Sequence, residues 1–132
     1  ILWMGDMNNV TYSLVEAANL IEEIRLTICA PEQISSSINW KMNSNIDVIS
    51  NLESVDLSRV NCVMTDVFTS MNDEDSEDKI SLLKPYCVTS ELMSKTTSDS
   101  IFMHLRALML FAIVTICLLK VNIMMGFGYR RF

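Results

Sequence analysis

The first 24 residues, ILWMGDMNNVTYSLVEAANLIEEI (1–24), decide the fold because they place a strand, a loop and a helix in succession. ILWM (1–4) is a short apolar run that predicts a strand, and Gly5 and Asp6 end it. Apolar residues then recur at spacings of four and three, which is the pattern of one helix face: Val10, Leu14, Ala17, Ile21 and Ile24. A strand followed by a helix predicts the first unit of an α/β fold.

The same alternation continues along the chain. Four further apolar runs predict strands: RLTICA (25–30), IDVIS (46–50), VNCVMTD (60–66) and SIFMH (100–104). Between them we expect a segment opened by Pro31, a helix at SINWKM (37–42), a short helix or turn at 51–58, a helix ending near Pro85, and a helix starting at TSELMSKT (89–96). Strands and helices joined by short connections predict a doubly wound, Rossmann-like parallel sheet with helices on both faces.

Composition limits the class of protein. The 132 residues are enough for one domain with one core. With 50% hydrophobic and 20% charged residues, the chain is globular rather than disordered. Its net charge of −6 argues against nucleic acid as the main partner, since binding to phosphate needs a basic face.

The cysteines and the single histidine argue against a metal or cofactor. The four cysteines lie far apart without a C-x-x-C pair, so we expect no zinc site. GDMNN (5–9) is not a G-x-G-x-x-G loop, so we expect no dinucleotide. Cys29 and Cys62 lie in apolar runs, which indicates buried thiols in a reducing compartment. Cys87 and His104 lack an evident third group for nucleophilic catalysis.

The carboxyl ends of parallel strands meet at one edge of the sheet, where ligands of such folds bind. This edge is expected to gather polar residues from three stretches: Asp6, Asn8, Asn9, Asp66, Ser70 and His104. Asp66 would accept hydrogen bonds from an ammonium, while Asn9 and loop N–H groups near Ser70 and Met71 would hold a carboxylate. The competing interpretation is that Asp6 and Asn8 cap the following helix and Asp66 merely ends a strand.

Three stretches resemble the second, ornithine-binding half of the ornithine carbamoyltransferase family. WMGDMNNVTYSLVEAA (3–18) resembles W-x-G-D-x-N-N-x-x-x-S, and VMTDVFTSM (63–71) resembles T-D-x-W-x-S-M with Phe68 at the tryptophan position. LLKPYCVTSELMSKTTSDSIFMH (82–104) is similar to the family's Y-x-V-x-x-x-L-M and F-x-H stretch. The match covers residues 1–104, and its D-x-x-x-S-M pattern favours ornithine over the aspartate, acetylornithine and putrescine relatives.

This resemblance implies attack of the ornithine side-chain amine on carbamoyl phosphate, giving citrulline and phosphate. It implies ornithine contacts by Asn9, Asp66, Ser70 and Met71, with His104 and Leu105 as further candidates. It also implies a homotrimer without a cofactor, located in the cytoplasm, or in the mitochondrial matrix of a eukaryote.

The chain also departs from the family pattern. The family has H-C-L-P after the fifth strand, but here Leu105, Arg106 and Ala107 follow His104, so the position of the family's cysteine is Leu105 and no catalytic residue is assigned. The S-x-R-T-R phosphate loop and the H-P-x-Q stretch are absent, so carbamoyl phosphate would need a missing domain and we expect no activity from this chain alone. Because the chain does not begin with methionine, we interpret it as a piece of a longer protein.

Residues 105–132 form a divergent apolar tail after an ornithine-binding domain at 1–104, and we attribute the divergence to a changed reading frame or a decayed gene. We expect the tail to be helical and to cover the core. Two alternatives remain, a stand-alone amino-acid-binding or regulatory module and a membrane anchor through residues 107–127. The run at 107–119 is shorter than the ~20 residues of a spanning helix, and a central lysine such as Lys120 costs roughly 2–3 kcal/mol. A membrane partner is therefore not favoured.

Overall fold

The computed structural model describes residues 1–67 and 76–105, which form a parallel α/β fold. Its five strands are β1 (Leu2–Met4), β2 (Leu26–Cys29), β3 (Ile46–Ile49), β4 (Cys62–Asp66) and β5 (Ile101–Leu105). The helices are α1 (Asn9–Leu20), α2 (Glu32–Ser35), α3 (Ser76–Leu83) and α4 (Ser90–Ser94), with 3₁₀ helices at Leu52–Ser54, Leu57–Arg59 and Lys84–Tyr86. The predicted strands and the predicted fold class are confirmed.

The strand order β3-β2-β1-β4-β5 makes β1 the point where the direction of winding reverses. Met4, the last residue of β1, lies opposite Cys29 of β2 and Thr65 of β4. Gly5 follows with a φ of 116°, a left-handed conformation that favours glycine, and its N–H donates to the Cys29 carbonyl at 3.0 Å. In open α/β sheets the ligand crevice lies outside the carboxyl ends of the strands at such a reversal.

Alternate side chains of β1 enter two hydrophobic layers, one on each face of the sheet. Trp3 is fully buried in the layer that α1 covers with Val10, Leu14 and Val15. Leu2 and Met4 enter the other layer, which is covered by α4 and the 3₁₀ segments. Burying one such side chain stabilises the fold by roughly 1.5–3 kcal/mol. Both faces of the sheet are therefore covered by hydrophobic side chains, as is usual for parallel sheets.

Helix α1 is shorter than the period of its apolar residues predicts. It ends at Leu20, so Ile21 and Ile24 lie beyond it, and Ala18 replaces Ala17 among the buried residues of its face. The Asn45 Nδ2 donates to the carbonyls of Ala18 and Ile24 at 2.8 and 2.7 Å. A side chain from beyond β2 thus satisfies a carbonyl that the end of the helix leaves without a partner.

The predicted helix at 37–42 is wrong, because residues 38–43 have no helical structure. Asn19 of α1 holds this segment instead: its Nδ2 donates to the Lys41 carbonyl at 2.8 Å, and its Oδ1 accepts from the Asn43 N–H at 2.9 Å. Trp40 also packs edge-on against Tyr12, with ring centroids 5.3 Å apart. These tertiary contacts replace the internal hydrogen bonds that a helix would have formed.

Several predictions concern residues outside 1–67 and 76–105. The apolar tail from Arg106 onward, including the proposed anchor at 107–127, lies outside the described residues, as do Ser70 and Met71. Among the helices in 1–67 and 76–105, none is both long and apolar enough to cross a membrane.

Candidate functional site

The loop after β1 and the end of β4 meet at the carboxyl edge of the sheet. The Asn8 Nδ2 donates to the Asp66 Oδ2 at 3.0 Å, although the two residues lie 58 positions apart. Two residues that the sequence analysis assigned to this edge are therefore in direct contact.

Asn8 is the N-cap of α1, as the competing interpretation expected. Its Oδ1 accepts from the N–H groups of Val10 at 2.9 Å and Thr11 at 3.2 Å. The Thr11 Oγ1 in turn accepts from the Asn8 N–H at 3.2 Å, which completes a capping box. Since the amide oxygen is used by the helix, the amide nitrogen is the end of Asn8 that faces Asp66.

The Asp66 carboxylate retains capacity for a ligand. Its Oδ1 accepts from the Val67 N–H at 2.8 Å, and its Oδ2 accepts from Asn8. An ionised carboxylate has about four acceptor positions, so the described residues leave about two of them for an incoming donor. Asp66 is partly buried, and a hydrogen bond there is screened by water less than on an open surface.

Asp6 does not cap α1; it forms an ion pair. Its Oδ2 lies 2.9 Å from the Lys79 Nζ on α3, and the two side chains are 14% and 29% exposed. The contact joins the loop after β1 to the helix that follows β4. Sequence reasoning missed Lys79, which is the last residue of the acidic run at 72–79 and the one basic residue within it.

Two buried side chains hold the loop backbone in place. The Asp6 carbonyl accepts from the Trp3 Nε1 at 2.8 Å and from the Thr11 Oγ1 at 3.0 Å. Both Trp3 and Thr11 are 0% exposed. The position of Asn8, two residues after Asp6, is therefore set by the core.

Asn9 and His104 are exposed at this end of the molecule. Asn9 is the first residue of α1, and among the described residues its side-chain amide has no hydrogen-bond partner. His104 lies within β5 rather than after it, because the strand continues to Leu105 and pairs with β4 up to Asp66. Leu105 is 3% exposed and packs in the layer covered by α1, so its side chain offers no polar group to a ligand.

Of the cysteines, Cys29 is buried in the sheet as predicted, and burial raises the pKa of its thiol to about 11. Cys62 is only partly buried, and Cys87 is exposed. Within the described part of the chain, no cluster of three or more histidine, cysteine or acidic residues is arranged to hold a metal ion.

A separate cleft of about 940 Å³ opens beside β2 and β3, and its lining includes Thr27, Asp47, Val55 and Arg59. None of the predicted site residues that the structure describes lines it. The cleft is open and mixes acidic, basic and apolar groups, so its chemistry does not point to one ligand class.

Comparison with known proteins gives the same domain as the residue pattern. A model of the family described as "Aspartate/ornithine carbamoyltransferase, Asp/Orn binding domain" matches residues 1–106. The ornithine carbamoyltransferase of Rhodopseudomonas palustris (strain ATCC BAA-98 / CGA009) is 40% identical over 108 residues, which are 79% of this chain and 34% of that protein. That of Brucella ovis is 35% identical over 106 residues, covering 77% of this chain and 34% of its own length.

Solved structures share the fold. Ornithine carbamoyltransferase from Thermus thermophilus matches with a TM-score of 0.59 at 22% identity, over 78% of this chain and 33% of its own. Ornithine transcarbamoylase from Giardia lamblia matches with a TM-score of 0.57 at 24% identity, over 78% and 36% respectively. The chain spans about a third of the length of the curated relatives it matches. Since the family match covers residues 1–106 of 132, the chain belongs to the aspartate/ornithine carbamoyltransferase family and contains its Asp/Orn-binding domain.

Proposed function

We propose that this chain forms the L-ornithine side of an ornithine carbamoyltransferase site. The observation that carries the proposal is the Asp66 carboxylate, held by Asn8 at the strand reversal with acceptor positions remaining. In the proposed complex Asp66 accepts hydrogen bonds from the α-ammonium of ornithine. The Asn9 amide and the backbone N–H groups near Ser70 and Met71 hold the α-carboxylate.

The reaction proposed for the complete site joins L-ornithine and carbamoyl phosphate to give L-citrulline and phosphate, in arginine biosynthesis or the urea cycle. The contribution of this chain is to fix the α-carbon of ornithine, so that the side-chain amine is oriented toward the second substrate. Carbamoyl phosphate is bound by a domain outside the third of the family to which this chain corresponds. We propose a trimer in the cytoplasm as the working form.

A second candidate is an amino-acid-binding module without catalysis. Leu105 favours it, because an apolar, buried side chain stands where the family pattern has a cysteine. Such a chain would bind ornithine at the same edge but would not transfer the carbamoyl group. Citrulline formation separates the two functions, whereas ornithine binding is common to both.

Calorimetric titration of the full chain with L-ornithine tests the proposed site. We expect weak binding that Asp66→Ala abolishes, since the α-ammonium then loses its acceptor. Asp99→Ala is the matched control, because Asp99 is an exposed acid in the loop before β5, at the other end of the strands. Equal heats from wild type and Asp66→Ala would refute the assignment.

A further inference from the structure

The oxygen and the nitrogen of the Asn8 side-chain amide form hydrogen bonds with two different elements, α1 and β4. Its oxygen accepts from two N–H groups at the start of α1, and its nitrogen donates to the Asp66 carboxylate on β4. A cap needs only the oxygen. The donation to Asp66 is therefore an additional contact that capping does not require.

Asp66 is constrained at both oxygens. The Val67 N–H is a local donor to Oδ1, and Asn8 is a donor to Oδ2 from 58 residues away. Two donors on two oxygens fix the plane of the carboxylate, and with it the directions of the remaining acceptor positions. Without Asn8, the Val67 N–H would be the one contact left to the carboxylate among the described residues, and the carboxylate could rotate about its side-chain bonds.

We infer that Asn8 is a positioning residue that orients the Asp66 carboxylate toward the ammonium group of the ligand. The inference rests on the proposed ornithine site and adds to it a residue that does not itself need to touch ornithine. The buried Trp3 and Thr11 hold the preceding loop, so the orientation is transmitted from the core to the site.

Asn8→Ser separates capping from positioning. Serine is as good an N-cap as asparagine, but its shorter side chain has no amide nitrogen to reach Asp66. We expect thermal stability close to that of the wild type and an affinity for L-ornithine about tenfold lower, since a hydrogen bond to a charged group is lost. Asn8→Asp, which also caps but places a second carboxylate beside Asp66, should weaken binding at least as much.

The selectivity of binding supplies a readout that a purely structural role would not change. Wild type should prefer L-ornithine over 5-aminopentanoate, which lacks the α-amino group. Asn8→Ser should lose most of that preference, because only the contact with the ammonium is impaired. A mere loss of folding would lower both affinities together and lower the melting temperature.

A ligand-free measurement keeps this inference separable from the proposed function. In nitrogen–proton correlation NMR spectra, the side-chain amide signals of Asn8 should shift in Asp66→Ala and stay in place in Asp99→Ala. If they do not shift, or if Asn8→Ser binds ornithine like the wild type, the positioning role is overturned. If the signals shift but the wild type does not bind ornithine, the hydrogen bond between Asn8 and Asp66 is confirmed and the proposed function is wrong. The role of Asn8 in orienting Asp66 toward an ammonium is then wrong as well.

Discussion

Cys29 illustrates how the position of one residue in the sheet sets its chemistry. It is the last residue of β2, lies opposite Met4 and is 1% exposed, so its thiolate would be formed without water around it. The resulting pKa of about 11 keeps the thiol neutral over the physiological range. Cys87, by contrast, lies on the surface, just after a 3₁₀ turn.

The first prediction at this scale concerns alkaline pH. The thiol of Cys29 titrates near 9.0 when unfolded and near 11 when folded, so the unfolded chain loses its proton first. Cys29 therefore leaves the free energy of unfolding unchanged below about pH 9 and lowers it between about pH 9 and 11, by up to roughly 3 kcal/mol. Urea denaturation at a series of pH values measures this fall.

Cys29→Ala should remove this contribution to the slope of unfolding free energy against pH, whatever the substitution does to stability at neutral pH. Cys87→Ala is the matched control, because it removes a thiol that lies on the surface. Burial, and next the neighbouring Cys29, also raise the pKa of Tyr86, whose hydroxyl donates to the Ser50 carbonyl at 2.9 Å. Tyrosine therefore adds a decline of its own, part of which Cys29→Ala also removes. A slope in Cys29→Ala equal to that of the wild type would contradict the prediction.

Helix α1 shows how single elements are delimited by contacts from elsewhere. Its first turn is closed by the capping box of Asn8 and Thr11, which the local sequence supplies. Near its end, the Ala18 carbonyl is satisfied by Asn45, which lies 27 positions further along the chain. The apolar period continues to Ile24, but the helix stops at Leu20 because the chain must turn back there to enter β2.

The second prediction is that Asn45→Ala destabilises the fold by about 1–3 kcal/mol, because two backbone carbonyls lose their donor in a partly buried place. Asn39→Ala is the matched control in the same connection, since Asn39 is exposed. It should change stability by less than about 0.5 kcal/mol. Urea midpoints at equal denaturant slopes measure both, and equal midpoints for the two variants would contradict this account of the helix end.

At the scale of the whole molecule, polar and apolar side chains are unevenly distributed along the carboxyl edge of the sheet. The polar residues on this edge are Asp66, Asn8 and Asn9. Strand β5, by contrast, ends at Leu105, whose side chain is apolar and buried. The chain corresponds to about a third of the relatives' length. In the proposed function, binding of ornithine and transfer of the carbamoyl group are therefore tested separately for this chain.

The third prediction is that this chain alone, given L-ornithine and carbamoyl phosphate, forms no citrulline above background. The reason is that the sequence lacks the family's S-x-R-T-R phosphate loop and has Leu105 at the position of the family's cysteine. A colorimetric citrulline assay measures the outcome, with an intact ornithine carbamoyltransferase as the positive control. Turnover that persists after removal of host enzyme, and that Asp66→Ala eliminates, would show that the chain is catalytically complete.

The sequence by itself determined the strands, their alternation with helices and the edge at which polar residues collect. Short apolar runs ended by Gly5 and Asp6, or by Asp66, are local patterns, and parallel strands necessarily end on one side. Tertiary structure decided which residues touch: Asn8 rather than Asn9 contacts Asp66, and Lys79 rather than a helix end engages Asp6. It also left 38–43 without a helix, since Asn19 holds that segment. These contacts join residues 22 to 73 positions apart in the chain, and local periodicity carries no information about which side chains meet across such separations.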